Sequence, residues 1–161
     1  MLAGSSGPGV KTIIMKYIFL FLLAGIAMSF TDWQTDFEMA KKLAKEKNRL
    51  ILLNFSGSDW CGPCIRLRKE VFDSESFSKL ADSSLVLLNA DFPRNKKNQL
   101  PKGLQQSNET LANQYNPLGK FPFTLLLTAE GKVVKSWEGF PQNGPEQFIA
   151  QIKSACNANH R

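Results

Sequence analysis

The sequence predicts an α/β fold in which a mixed central sheet of about four strands is flanked by helices on both faces. Segments whose apolar residues have helical spacing alternate along the chain with short apolar runs typical of buried strands. The chain has 161 residues, close to the size of one domain, and 43% of them are hydrophobic and 21% charged. This composition is that of an ordinary globular protein and excludes a fibrous or a largely disordered chain.

The first half of the domain is predicted to begin with an amphipathic helix and to continue into a buried strand. Phe37, Ala40, Leu43 and Ala44 recur at helical spacing, and the apolar run over 50–55 suits a strand covered on both faces. In chain order, we expect a helix over 36–47, a strand over 50–55, a turn over 56–60, a helix that opens at 61–64, a short helix from Ser74 or Ser76 towards Leu80, and a strand over 85–91.

The second half is predicted to contain a long loop, two helices and two strands. Residues 93–106 are polar and basic and predict an exposed loop, and Ser107 or Asn108 is the expected N-cap of a helix over 107–115. A strand over 123–127, a turn over 129–132 and a strand over 133–137 follow. The last helix is expected to start at 144–146 and to have an apolar face made of Phe148, Ile149 and Ile152.

Residues 1–29 are expected to be an N-terminal extension and signal peptide ahead of a single domain over 30–161. Lys16 is followed by an uncharged apolar run over 17–27 and by small residues at Ala27 and Ser29, the pattern of a secretory signal cleaved after Ser29. The run is short for a membrane span, which needs about 20 residues. An uncleaved anchor and a buried core segment are the alternatives. Residues 1–14 are interpreted as an upstream extension, with Met15 as a candidate start.

Charge and cysteine content exclude further classes of protein. The formal net charge of +6 is modest, and the sequence has no dense stripe of basic residues interleaved with aromatics, so we expect no nucleic-acid partner. Three cysteines are too few for a small disulfide-stapled scaffold. Arg94, Lys96, Lys97 and Lys102 are interpreted as a solvated loop, with a docking patch as the alternative.

The chemistry is expected at Trp60-Cys61-Gly62-Pro63-Cys64, between a strand and a helix. Two thiols separated by two residues can close into a disulfide and reopen. At a helix N-terminus the first thiol lies near unpaired backbone N–H groups and the positive end of the helix dipole, which both favour the reactive thiolate. Cys61 is therefore predicted to be the exposed nucleophile, and Cys64, one turn later and more buried, is predicted to resolve the mixed disulfide. Pro63 suits a first helical turn.

This segment is identical to the active-site segment of thioredoxins, and the chain resembles that family over about residues 33–156. The resemblance implies a thioredoxin fold and thiol–disulfide exchange, with no cofactor beyond the redox-active Cys61–Cys64 disulfide. Phe121-Pro122 resembles the family's cis-proline loop, which faces the dithiol and presents backbone to a substrate strand. The substrate-binding residues implied by this likeness are Trp60, Gly62, Pro63, Phe121 and Pro122.

The sequence departs from the family pattern by one extra residue and at three positions. The approach over 54–59 is one residue longer than in ordinary thioredoxins and resembles secreted or periplasmic members. Allowing for that residue, Asn54 stands where thioredoxins have a buried Asp, and Leu87 where they usually have a buried Lys. An amide cannot take the proton of a resolving thiol, so Asn54 is expected behind the active site as a supporting residue, with water or substrate deprotonating Cys64. Phe121 is bulkier than the residue that usually precedes the proline.

Plainer interpretations of the cysteines stand beside the catalytic one. Cys61 and Cys64 could form a static structural disulfide, although so short a loop stabilises little. Cys61, Cys64, Cys156 and His160 offer four zinc ligands if they converge, but we expect no metal. Cys156 is interpreted as a small apolar residue of the last helix, with an intermolecular disulfide as the alternative, and His160 as solvated tail.

These observations together predict an exported thiol–disulfide oxidoreductase, periplasmic or secreted, that reduces protein disulfides. The Gly62-Pro63 pair resembles reductants, which favours a reductase over a disulfide-forming oxidase. The alternative from another class is a redox-inactive peptide-binding or chaperone-like module that uses the groove beside Pro122. The expected partners are protein disulfide substrates and an electron donor, with a membrane reductase as a candidate donor. We expect the protein to be a monomer.

Overall fold

The computed structural model describes residues 32–159. Helices and strands alternate along this part of the chain, as predicted. In chain order, the elements are β1 (Trp33–Gln34), α1 (Phe37–Lys47), β2 (Leu50–Ser56), α2 (Gly62–Leu67), a π-helical turn (Arg68–Phe72), α3 (Glu75–Ser84), β3 (Leu85–Asp91), a 3-10 turn (Lys96–Asn98), α4 (Lys102–Tyr115), β4 (Phe123–Leu127), β5 (Val133–Glu138) and α5 (Pro145–Asn159).

The strands form one mixed sheet in the order β1-β3-β2-β4-β5. The central strand β2 is parallel to β3 and antiparallel to β4, while β1 is parallel to β3 and β5 is antiparallel to β4. All seven residues of β2 are buried. This burial explains its nearly continuous apolar sequence, because a strand covered on both faces has no solvent-facing side. The loop that leads to Cys61 therefore leaves from the middle of the sheet.

Alternate residues of the strands enter two hydrophobic cores, one on each face of the sheet. On one face, Leu52 and Leu126 pack with residues of α2, α3 and α5. On the other face, Leu53 and Leu125 pack with residues of α1 and α4. Helices on both faces confirm the predicted architecture.

Several predicted element boundaries are confirmed by their capping residues. Asp36 caps α1 by accepting a hydrogen bond from the backbone N–H three residues later, at 2.8 Å. Ser74, rather than Ser76, caps α3 in the same way at 3.2 Å. Pro145 is the first residue of α5, and the predicted apolar face of that helix is buried.

The helix predicted over 107–115 begins earlier, at Lys102, so the expected exposed loop ends sooner than 106. Neither Ser107 nor Asn108 is the N-cap, a position that Pro101 occupies. In the first turn of α4 Leu104 is the single large apolar residue and none of the four residues is fully buried, so hydrophobic periodicity gives little signal for it. Asn108 is instead buried within the helix, where its Nδ2 donates to the Asp91 carbonyl at 2.8 Å and fastens α4 to the end of β3.

The sequence did not predict β1, which makes the sheet five-stranded rather than four-stranded. Its two residues pair with Leu87 and Leu88 at the edge of the sheet. Two residues are too few to show the alternation by which strands are recognised. Trp33 is held by tertiary contact, since its ring packs 5.0 Å from that of Phe72, centroid to centroid.

The expected extension and signal over residues 1–29 lies outside the described residues. Among residues 32–159, none of the helices combines the length and apolar character needed to cross a bilayer. The division of the chain at residue 29 therefore stays a prediction.

Candidate active site

Cys61 and Cys64 form a disulfide at the amino end of α2. Cys61 is the N-cap residue in extended conformation, and its Sγ accepts a hydrogen bond from the Cys64 backbone N–H at 3.3 Å. Pro63 lies in the first turn, as predicted. The Cys61 sulfur thus lies at the positive end of the helix and accepts from a backbone N–H of its first turn, and both features stabilise a thiolate once the disulfide is reduced.

Both sulfur-bearing residues are buried in this oxidised form. Cys61 is 5% exposed and Cys64 is 3% exposed. The expectation of an exposed Cys61 is therefore wrong for the disulfide state, in which each sulfur covers part of the other. The distinction between the two residues rests on position, since Cys61 caps the helix and Cys64 lies inside its first turn.

The peptide bond between Phe121 and Pro122 is cis, as the resemblance implied. β4 begins at the next residue, which pairs with Phe55 near the carboxyl end of β2. Because β2 and β4 are antiparallel, the proline loop and the loop that leads to Cys61 lie at the same end of the sheet. The Pro122 carbonyl accepts a hydrogen bond from the Gly139 N–H at 2.9 Å, which ties the proline loop to the end of β5.

Trp60 packs between the proline loop and the loop that follows β3. Its indole Nε1–H donates to the Phe92 carbonyl at 2.7 Å, and its ring meets the Phe121 ring edge-on with centroids 5.4 Å apart. The Arg94 guanidinium lies 3.7 Å from the indole centroid, in cation–π contact. These contacts hold the half-buried indole next to Cys61.

Gly57 is required for this placement of the indole. A Cβ atom at residue 57 would lie 2.4–2.6 Å from three indole atoms of Trp60. We expect Gly57→Ala to displace the indole, break its hydrogen bond to Phe92 and lower the free energy of unfolding by about 1–3 kcal/mol. Near-ultraviolet circular dichroism reports the displacement, and urea unfolding reports the stability.

Gly103→Ala is the matched control for this prediction, because a Cβ at residue 103 meets nothing within 4 Å. Residue 103 lies in α4, where alanine is favoured over glycine by about 1 kcal/mol, so the control is expected to be neutral or stabilising. An unchanged near-ultraviolet spectrum in Gly57→Ala would contradict the contact between residues 57 and 60.

Asp59 fastens the loop after β3 to the approach to the active site. Its carboxylate accepts hydrogen bonds from the backbone N–H groups of Arg94 and Asn95, both at 2.9 Å, and from Asn98 Nδ2 at 3.0 Å. The hydrogen bond from the Arg94 N–H is the largest cause that holds the pKa of Asp59 below its ordinary value. Sequence reasoning did not single out Asp59, because its partners are more than thirty residues away in the chain.

Asn54 belongs to a row of polar side chains that crosses the centre of the sheet. Thr124 Oγ1 donates to Asn54 Oδ1 at 3.1 Å, and Asn54 Nδ2 donates to Asn89 Oδ1 at 3.3 Å. Asn89 is the parallel-strand partner of Asn54, whereas Leu87 pairs with Leu52. The side chain that contacts Asn54 across this parallel pair is therefore that of Asn89, and the likeness of Leu87 to the family's lysine position stays an expectation.

A cavity of about 400 Å³ opens behind the disulfide. Asn54, Asn89 and Cys64 line it together, while Cys61 is not among its lining residues. The cavity therefore places Asn54 and Cys64 on one shared space. The arrangement supports the expectation that Asn54 lies behind the active site, within reach of Cys64 through water.

Cys156, the third cysteine, is unpaired and fully buried in α5. Burial raises the pKa of its thiol to about 11, so almost all of it is protonated at neutral pH. Its neighbours belong to the hydrophobic core on that face of the sheet. The structure therefore favours the small apolar residue over the intermolecular disulfide.

In the reduced protein at neutral pH, we expect iodoacetamide to alkylate Cys61 first, Cys64 more slowly, and Cys156 only after unfolding. The thiolate is the reacting species, and only Cys61 caps a helix. Timed quenching followed by peptide mass spectrometry measures the three rates. Urea-unfolded protein, in which the three cysteines should react alike, is the control. Faster alkylation of Cys64 than of Cys61 would reverse their roles.

The zinc site that the cysteine and histidine spacing allows includes His160 and so lies partly outside residues 32–159. Within those residues, no group of three or more Cys, His, Asp or Glu side chains converges. Cys61 and Cys64 are bonded to each other, and His160 lies outside the described residues.

Comparison with known proteins finds relatives of this chain. The sequence model of a family described as thioredoxin-like matches residues 32–129. The disulfide bond reductase DsbH of Chlamydia pneumoniae is 34% identical over 130 residues, which cover 81% of this chain and 75% of that protein.

Solved structures agree with the sequence comparison. A structure described as DsbH oxidoreductase superposes with a TM-score of 0.70 at 31% identity, and covers 78% of this chain and 84% of that one. A thioredoxin from Thermus thermophilus superposes with a TM-score of 0.56 at 17% identity over 73% of this chain and 82% of that one, a likeness of fold alone. With its fold, its Cys61–Cys64 disulfide and its cis-proline loop, the chain belongs to the thioredoxin-like family and is a thiol–disulfide oxidoreductase.

Proposed function

We propose that this protein works as a reductant of protein disulfides outside the cytoplasm, through the dithiol of Cys61 and Cys64. The observation that carries the proposal is the disulfide at the amino end of α2, with the cis-Pro122 loop at the same end of the sheet. A reversible disulfide at a helix N-terminus needs no further cofactor to exchange electrons with another disulfide.

The proposed reaction begins from the reduced dithiol. The Cys61 thiolate attacks one sulfur of a substrate disulfide, a mixed disulfide forms, and the other substrate sulfur leaves as a thiolate. The Cys64 thiolate then attacks Cys61 Sγ, which closes the protein disulfide and releases the second substrate thiolate. The substrate gains two electrons and the protein loses two, so an external donor must reduce Cys61–Cys64 again.

The remaining predicted site residues are proposed to hold the substrate segment. Trp60 and Phe121 offer a ring contact next to the two reactive positions, and the cis-Pro122 loop offers backbone. Gly62 and Pro63 lie in the first turn of α2 beside Cys61. An added Cβ at Gly62 would meet nothing within 4 Å, so the backbone there is open to a partner.

The direction of electron flow is proposed from the Gly62-Pro63 pair and from the named activity of the relative DsbH, a disulfide bond reductase. The reduction potential in a defined glutathione buffer tests it. A value near −270 mV, roughly that of thioredoxin, supports the reductase, and a value near roughly −120 mV supports the oxidase. If the protein binds peptides but shows no dithiol turnover, the result instead supports the redox-inactive binding module.

Export is proposed from the pattern of residues 15–29. We expect a chain that lacks residues 1–29 to be folded and redox-active, because the described elements start at Trp33 and pack against one another in both cores. Turnover and thermal unfolding of the truncated and full-length chains measure this. N-terminal sequencing of exported protein distinguishes cleavage after Ser29 from a retained membrane anchor. Loss of folding on truncation would make the segment structural.

The electron donor is proposed to be a separate redox protein, with a membrane reductase as the candidate. The substrates are proposed to be protein disulfides, and the protein to act as a monomer. Sedimentation of the reduced and oxidised forms tests the monomeric state.

A further inference from the structure

A second cavity, of about 450 Å³, opens beside Trp60, and we call it the side pocket. One wall is aromatic, and the other comes from the loop that connects β3 to α4. The side pocket is lined by, among others, Trp60, Phe92, Arg94, Leu100, Phe121 and Glu109.

The aromatic wall is held in place by mutual packing. Phe121 meets both Trp60 and Phe92 edge-on, with centroid distances of 5.4 and 5.6 Å. The Nε1–H of Trp60 already donates a hydrogen bond to the Phe92 carbonyl. The wall therefore presents ring surface rather than an unpaired polar atom of the indole.

The opposite wall is held by the Asp59 carboxylate, which fixes the backbone of Arg94 and Asn95. Arg94 stacks on Trp60, and it takes part in none of the ion pairs among residues 32–159. Its planar guanidinium can therefore contact a further ring as well as the indole. Leu100 adds an apolar surface to the same cavity.

The position of the side pocket indicates what enters it. Trp60 precedes Cys61 and Phe121 precedes Pro122, so a segment joined to Cys61 by a mixed disulfide lies next to the mouth of the cavity. Leu118, which precedes the lining residue Gly119, is 78% exposed. The occupant is therefore a side chain of the substrate polypeptide itself.

We propose that the side pocket is a specificity site that takes an aromatic side chain within two residues of the target cysteine. This inference rests on the proposed reductase function. Ring edges and a free guanidinium favour an aromatic occupant over an aliphatic one. A carboxylate is disfavoured, because Asp91 and Glu109 line the same cavity. In an extended segment, the residues two positions away share the face of the cysteine.

The test uses reduced protein and four disulfide-linked peptide dimers. The dimers are identical except at the positions two before and two after the cysteine, which carry Phe, Leu, Glu or Ala. We expect kcat/KM for the Phe dimer to exceed that for the Ala dimer at least about tenfold. Arg94→Ala and Leu100→Ala should lower this ratio to below about threefold. Because the Phe and Ala dimers are compared within the same variant, a change in the reactivity of Cys61 affects both kcat/KM values and cancels in their ratio.

Lys97→Ala is the matched control, because Lys97 is an exposed basic residue of the same loop that does not line the side pocket. It should keep the wild-type ratio. Equal kcat/KM for all four dimers would overturn the specificity site and leave the reductase function intact. Preference for Glu would indicate docking of acidic segments instead, and equal preference for Leu and Phe would remove the aromatic selectivity. Failure to reduce any dimer, and also bis(2-hydroxyethyl) disulfide, would overturn the proposed function together with this inference.

Discussion

In Cys64→Ser, disulfide turnover falls by at least about 10³-fold and a covalent adduct with substrate accumulates; this is the largest effect that we expect. Serine leaves Cys61 able to attack a substrate disulfide but removes the thiolate that resolves the mixed disulfide. The Cys61 N-cap geometry does not depend on the replaced sulfur, because it is the backbone N–H of residue 64 that donates to Cys61 Sγ. Non-reducing electrophoresis and intact mass spectrometry detect the adduct.

Cys61→Ser is expected to lose turnover to the same extent without accumulating an adduct, since the attacking thiol is absent. Cys156→Ala is the matched control: Cys156 is a buried, protonated thiol in the core, and the variant should keep turnover. An adduct in Cys61→Ser and none in Cys64→Ser would exchange the two roles. Full turnover in either variant would refute the two-cysteine mechanism.

Asn54→Asp is expected to make stability depend on pH. Asn54 is 5% exposed in the centre of the sheet, and burial disfavours the charged form of a carboxyl group. The hydroxyl of Thr124, which donates to residue 54, and the cations Arg68 and Lys69, which line the same cavity, limit the effect. We therefore expect the carboxyl pKa to rise by only about one to two units above its unfolded value, which corresponds to about 1.4–2.7 kcal/mol.

The sign of this effect follows from proton binding. Between the unfolded and the raised folded pKa, the folded state holds more protons than the unfolded state, so the free energy of unfolding falls as pH rises from about 4 to about 6. Urea unfolding at several pH values measures this free energy. Asn89→Asp is the control, because residue 89 is more exposed than residue 54. If the free energies of unfolding of variant and wild type differed by the same amount at about pH 4 and at about pH 8, the burial of residue 54 would be contradicted.

The variant also tests how the second cysteine loses its proton. A carboxylate at residue 54 lines the cavity that reaches Cys64, so the resolution step should gain a second pH-dependent phase. In the wild type, which has an amide there, the pH dependence of substrate reduction should follow mainly the titration of Cys61, with no extra step from a buried carboxylate. Single-turnover release of substrate across pH separates the two cases.

Much of the fold was predictable because its signals are local. The apolar runs of β2, β3 and β4 predicted buried strands, and the capping roles of Asp36 and Ser74 follow from hydrogen bonds within three residues. The start of α4 was not predictable in this way. Its first turn buries little, and Asn108 is buried because its amide meets the carbonyl of Asp91.

The reactive pair and its setting were readable from residues 60–64, since two cysteines, a proline at the start of a helix and a preceding strand occur together in one short segment. The cis-proline loop came from resemblance, and the structure confirms it. The sequence did not point to four further residues of the site. Three of them contact residues that are more than thirty positions away in the chain: Asp59, Asn89 and Phe92. The fourth, Gly57, matters because the indole of Trp60 approaches its backbone closely.

The sequence by itself thus determined the fold class, the dithiol and the order of its two sulfurs along a helix, all of which depend on residues within a few positions of one another. Only the tertiary structure decided that Asn89 rather than Leu87 lies beside Asn54, because parallel pairing of β2 with β3 sets that register. It also decided that a distant loop, fastened by Asp59, closes a pocket against Trp60. Contacts between residues far apart in the chain depend on how the strands and loops pack, which no local pattern encodes.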